Sequence, residues 1–93
     1  MKMVYVKKLD WEEWNVKHIK KHTVVVEEVE QVCHGKHVTR LGKKGRLLII
    51  GPTQSGRMLV VILSPTAKKN VYYPVTARPA DKQEIRDYKN ESR

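Results

Sequence analysis

Hydrophobic and polar positions divide the chain into eight segments, and the spacing of the apolar residues changes from one segment to the next. Val4, Val6 and Leu9 interleave with Tyr5, Lys7 and Lys8, which predicts a short strand near residues 2–9. Asp10 then opens a helix over about 11–22, with Glu13 completing an acidic capping box. Three- and four-residue spacing places Trp11, Trp14, Asn15, His18 and His22 on one stripe of it, with Ile19 at the edge. Thr23 breaks the pattern. A second helix from about Val25 to Cys33 turns Val26, Val29 and Val32/Cys33 inward and Glu27, Glu28 and Glu30 toward water, and Gly35 marks its exit.

The remainder reads mostly as strands. A weak one near 36–42 meets a turn at Lys43-Lys44-Gly45. Strong ones follow over 46–50 and 57–63, separated by the Thr53-Gln54-Ser55-Gly56 turn. The last strand, from Val71 to Ala77, contains Pro74, which cannot donate to a ladder and so marks an edge or a bulge. Asp81 and Glu84 form a second capping box for a helix to about Asn90, with Ile85 and Tyr88 facing inward. The order β-α-α-β-β-β-β-α predicts a small two-layer α+β domain with an antiparallel sheet of four to five strands.

Length and charge narrow the function. With 93 residues the chain is read as one domain, 1–93, burying roughly 60–65% of its unfolded surface. Lys and Arg number 19 against 10 Asp and Glu, a formal charge of +9, which argues against a generic metabolic enzyme and for a polyanionic or acidic partner. Residues 31–80 hold Lys36, Arg40, Lys43, Lys44, Arg46, Arg57, Lys68, Lys69 and Arg78 and no acid at all, the footprint of a phosphate-backbone surface. No apolar run is long enough to cross a membrane, no signal segment is evident, and the single Cys33 suits a reducing cytoplasm.

Few catalytic patterns fit. His18 and His22 lack the Glu of the zinc-protease motif, and Cys33-His34-Gly35-Lys36-His37 lacks a tetrahedral partner pair, so neither metal nor cofactor is expected. Gly51–Arg57 lacks the Gly-Lys-Ser/Thr ending of a phosphate loop. Basic residues, His and Tyr remain, a set suited to RNA cleavage through the ribose 2′-OH, which needs a base, an acid and cations for the phosphorane. The bland alternatives are that Arg78 pairs with Asp81 or Asp87, that the His22 ring bonds the carbonyls ending the first helix, and that Trp14 is core rather than a base-stacking platform.

Lys8-Leu9-Asp10-Trp11, Trp14-Asn15, Lys21-His22, Glu27-Glu28, Arg46–Gly51, Arg57–Ile62, Thr76–Ala80 and Ile85–Tyr88 occur in an order that resembles the BrnT-type toxins of bacterial type II toxin–antitoxin pairs, over about residues 9–89. The resemblance implies a RelE-like fold and a metal-independent endoribonuclease of the cytoplasm. It further implies RNA as substrate, free or as ribosome-bound mRNA, and a cognate antitoxin as partner. It places catalytic roles on Arg78, Arg57, His22 and Tyr88. RNA-binding roles are expected of Lys21, Lys43, Lys44, Arg46 and Trp14. Three features depart from the family pattern: Val25 stands for the serine that opens the second helix, Thr76 for the motif serine, and Pro74 interrupts the strand presenting Arg78. A non-catalytic nucleic-acid-binding module and an interaction domain for an acidic protein remain as alternatives.

Overall fold

The two strongest apolar runs pair with each other and found the sheet. In the computed structural model, which describes residues 3–92, the elements are β1 (Lys8–Leu9), α1 (Glu13–Lys20), α2 (Val26–His34), β2 (Val38–Leu41), β3 (Leu47–Pro52), β4 (Met58–Pro65), β5 (Val71–Pro79) and α3 (Lys82–Glu91). The predicted order is therefore observed. The sheet runs β1-β5-β4-β3-β2: β2 to β5 form an antiparallel meander, and β1 adds in parallel beside β5.

Alternation along the strands sorts the apolar residues to two faces. Ile49, Leu59, Val61, Leu63 and Ala77 meet Ile19, Val24, Val29, Val32 and Cys33 under α1 and α2. Val38, Ile50 and Val60 point the other way, against Ala80 and Tyr88. α3 thus covers part of the second face, an addition to the sheet and helical layer expected from the sequence. Cys33 is buried as expected, its thiol pushed up to about 12 by burial.

Four local expectations change. The strand predicted over 2–9 shrinks to two residues (Lys2 lies outside the described residues). The segment before it is tied down singly instead: the Val4 amide donates to His37 Nε2 at 3.1 Å and the Lys7 amide to the Asn70 carbonyl at 2.8 Å. α1 starts at Glu13, because Asn15 Oδ1 accepts from the Glu12 amide at 2.8 Å, so the cap is Glu12–Asn15 and not Asp10–Glu13. Its buried side chains are Asn15 and Ile19, while Trp14 is 54% exposed. The Trp14–His18–His22 row flanks the buried stripe rather than forming it. Of the α2 acids, Glu28 and Glu30 do not simply face water but bond Arg57 and the Trp11 indole.

α1 closes with a Schellman motif, the Val24 amide donating to Ile19 O and the Thr23 amide to Lys20 O. Thr23 therefore occupies the left-handed position, φ 60°. Pro74 marks the bulge foreseen for it: Leu63 pairs with Pro74 and Ile62 with Thr76, leaving Val75 as the extra residue. The buried Asn15 amide group fills the irregularity, donating to Pro74 O at 3.1 Å and Asp10 O at 3.0 Å.

Candidate nucleic-acid interface

Three of the four arginines in the acid-free segment are held by acids from outside it. Arg78 makes a bidentate pair with Glu84, 2.8 Å to each oxygen, so its counter-ion is the residue that also caps α3 and not Asp81 or Asp87. Hydrogen bonding to Arg78 holds the Glu84 carboxyl below the usual carboxylate range, and Glu84 in turn raises the guanidinium. Arg57 reaches Glu28 of α2 at 3.1 Å and bonds Thr23 O and Oγ1 at 2.8 and 3.0 Å. Arg40 pairs with Glu91 and Asp87 near the end of α3.

The four residues expected to catalyse do not converge. Arg78 is the cross-strand partner of Val60, so it shares the α3 face, where Tyr88 packs against Val38, Ile50 and Val60. Arg57 bonds α2 and the α1–α2 turn on the opposite face, at Thr23, the residue that follows His22. The set is thus divided by the sheet, with Arg57 at that turn on one side and Arg78 and Tyr88 on the other. His22 is exposed, and its ring makes no hydrogen bond among the described residues. The carbonyls at the end of α1 are taken by backbone amides instead.

The residues expected to bind RNA also gather in two places. Lys43, Lys44 and Arg46 rim a depression of about 330 Å³ whose floor is Leu48 and Ile62, on the part of the second sheet face that α3 leaves open. The turn presenting them is fixed by Lys44 and Gly45 at φ 59° and 74°, and by the Gly42 amide donating to Arg46 O at 2.7 Å. None of the three side chains pairs with an acid among the described residues. Meander topology returns the β4–β5 turn, with Lys68 and Lys69, to the same end of the sheet, roughly two strand spacings or about 10 Å away. Lys68 and Lys69 carry no site role in the sequence reading. The parity of the turns in the meander is the signal that recruits them.

Trp14, on α1, and Lys21, which caps its C-terminal end, lie elsewhere, lining a shallow depression with Lys17 and His18. Among the described residues, no group of three His, Cys, Asp or Glu side chains is placed to hold a metal ion, and no helix is long and apolar enough to cross a membrane.

No protein-family model and no curated protein matches the chain. What its chemistry can be is read from its own residues: cations without acidic partners among the described residues at one end of the sheet, and the ion-paired Arg57 and Arg78 on opposite faces of it.

Proposed function

We propose that the protein acts on RNA in the cytoplasm as a BrnT-like, metal-independent endoribonuclease silenced by a cognate antitoxin. What supports the RNA part is the sorting of the cations. Of nine in the acid-free segment, Arg40, Arg57 and Arg78 have acidic partners. The remaining six keep none among the described residues, and five of those six (Lys43, Lys44, Arg46, Lys68 and Lys69) share one end of the sheet. Such a row neutralises consecutive phosphates and releases their counter-ions.

Cleavage rests on the resemblance and on chemistry that needs a base and a cation. His22 and Arg57 are the residues we assign: an exposed imidazole that takes the 2′-OH proton as O2′ bonds to phosphorus, and a guanidinium anchored by Glu28 for the phosphorane, with the 5′-oxygen that leaves taking its proton from water. A second reading, RNA binding without cleavage, is favoured by one observation: Arg78, given the strand-end role by the resemblance, is spent on Glu84 across the sheet from His22. The test is a labelled RNA in excess EDTA. We expect His22→Ala, which breaks no hydrogen bond, to remove cleavage while leaving binding. We expect Lys43→Ala/Lys44→Ala/Arg46→Ala to weaken binding and to cut the log–log salt slope by roughly 2, at about 0.7 per phosphate contact on a single strand. Binding without cleavage by the wild type, ribosomes included, selects the second reading, and salt-independent or absent binding overturns both.

A further inference from the structure

Trp14 is an exposed aromatic side chain whose surroundings neither the core nor the proposed phosphate-binding row explains. Trp11, three residues earlier, packs against the core and donates its indole N–H to Glu30 at 2.8 Å. Trp14 does neither: it is 54% exposed, and its indole N–H has no partner among the described residues. One face of its ring is covered by His18, stacked at 4.7 Å between centroids with 9° between planes, and His22 continues the row edge-on at 5.9 Å. This i, i+4, i+8 ladder holds the indole in one orientation and leaves its other face to solvent. Lys17 and Lys21 flank it around a depression of about 210 Å³, and Lys17 is already paired with Glu13. Lys21 is not paired with any described acid.

We infer that the Trp14–His18 stack is a seat for one unpaired nucleobase of a single-stranded RNA, with Lys21 on the adjoining phosphate. The inference rests on the RNA reading above and adds to it a preference for single strands. Exposed aromatic faces bind bases in a sequence-tolerant way, because every base has a π-face, but a base inside a duplex cannot reach a ring lying on a helix flank. A pre-stacked, rigid indole is the form of side chain that does this with little ordering to supply. Lys21 supplies the charge complementarity. A protein partner would use the same ring without any preference between strand forms.

The experiment compares a short single-stranded RNA with the duplex of the same sequence, following tryptophan fluorescence and anisotropy of labelled strands. Trp14→Ala should weaken single-strand binding roughly 5- to 150-fold, the range for loss of one stacked base. Duplex binding should hold, and Trp14→Tyr should restore most of the loss. Fluorescence quenching on binding should persist in Trp11→Phe and vanish in Trp14→Tyr. Equal single-strand affinity for the wild type and Trp14→Ala, with both still sensitive to the Lys43/Lys44/Arg46 substitutions, overturns the base seat and leaves the RNA reading standing. A wild type that binds neither strand form overturns the RNA reading itself, and the base seat with it.

Discussion

Asn15 offers the sharpest test of how the fold is held. Its side chain is fully buried and makes three hydrogen bonds: Nδ2 to Asp10 O and Pro74 O, and Oδ1 from the Glu12 amide. One group therefore caps α1 and satisfies the carbonyl at the β5 bulge, tying residues 59 apart in sequence. Asn15→Ala removes all three bonds and leaves a cavity. The Pro74 carbonyl is buried, so its loss takes the full penalty of an unsatisfied group, about 1–3 kcal/mol. Glu12 is exposed and Asp10 half-buried, so water can reach their groups, and those two bonds add about 0.5–1 kcal/mol each.

The total expected is roughly 2–5 kcal/mol, a large share of the 5–15 kcal/mol available to a domain of this size. In circular dichroism melts that corresponds to a Tm lower by roughly 10–25 °C, with the urea m-value unchanged. Asn15→Asp makes the chemistry explicit. A carboxylate keeps the acceptor for the Glu12 amide but turns its other oxygen on two carbonyls, so it should destabilise at least as much at pH 7 and regain part of the loss when acid protonates it. A loss under ~1 kcal/mol for Asn15→Ala would refute the assignment of this residue as the link between helix and bulge.

Three further outcomes follow from the same geometry. His37 is buried with Nε2 accepting from the Val4 amide and Nδ1 bonded to Gly35 O, and burial lowers its pKa. The unfolded chain then binds the proton more readily, so this contribution is complete above the unfolded pKa of about 6.5 and is lost as pH falls through it toward the lowered folded value; urea midpoints should drop over that window in the wild type and less in His37→Gln. Glu84 has the same sign for a different reason: its depressed pKa contributes stability above about 4.3 that is lost on acidification, and Glu84→Gln should flatten acid unfolding there while costing ~1 kcal/mol at pH 7, because the Arg78 side chain is 38% exposed. Thr23, a β-branched residue at φ 60°, should gain stability as Thr23→Asn, which tolerates the left-handed region, but by less than about 1 kcal/mol because the Oγ1 bonds to Arg57 and His22 O are given up, measured as a higher urea midpoint.

Local signals carried most of the fold. The continuous apolar runs of β3 and β4, the Asp81–Glu84 capping box and the bulge at Pro74 are all consequences of residues within a few positions of one another. What local spacing hid was which side of a helix wins. Two tryptophans weigh heavily in any helical stripe, yet the polar Asn15 takes the buried position because a bulged carbonyl needs a donor, and Trp14 is turned outward. The parallel pairing of β1 was equally out of reach, since it depends on the loop from Asn70 meeting a segment more than sixty residues earlier. The candidate site was legible in composition and not in pairing. A fifty-residue run without acids suggests nine free cations, but Glu28, Glu84, Glu91 and Asp87 arrive from helices on either side of that run.

The division among those cations follows from their chemistry. Arg40, Arg57 and Arg78 have side chains only 31–38% exposed, at joints where a helix meets the sheet or its turn. A guanidinium is suited to such a place: its planar fork fits a carboxylate on two bonds, and its weak hydration lowers the cost of partial burial. An ammonium is compact and strongly hydrated, and Lys43, Lys44, Lys68 and Lys69 accordingly stay in water at turn tips, where phosphate can approach. The arginines that a ribonuclease would recruit are thus the ones binding this fold together. Arg78 can turn fully to a phosphate only by surrendering its bidentate bond to Glu84, although the Asp81–Glu84 cap of α3 would remain. Arg57 already projects to the turn at Thr23, next in the chain to His22, whose ring makes no hydrogen bond among the described residues, so a substrate phosphate can join the existing bonds of Arg57. Catalysis at the Arg57 end, as proposed above, would therefore add a contact to a helix–sheet joint, whereas catalysis at Arg78 would loosen one.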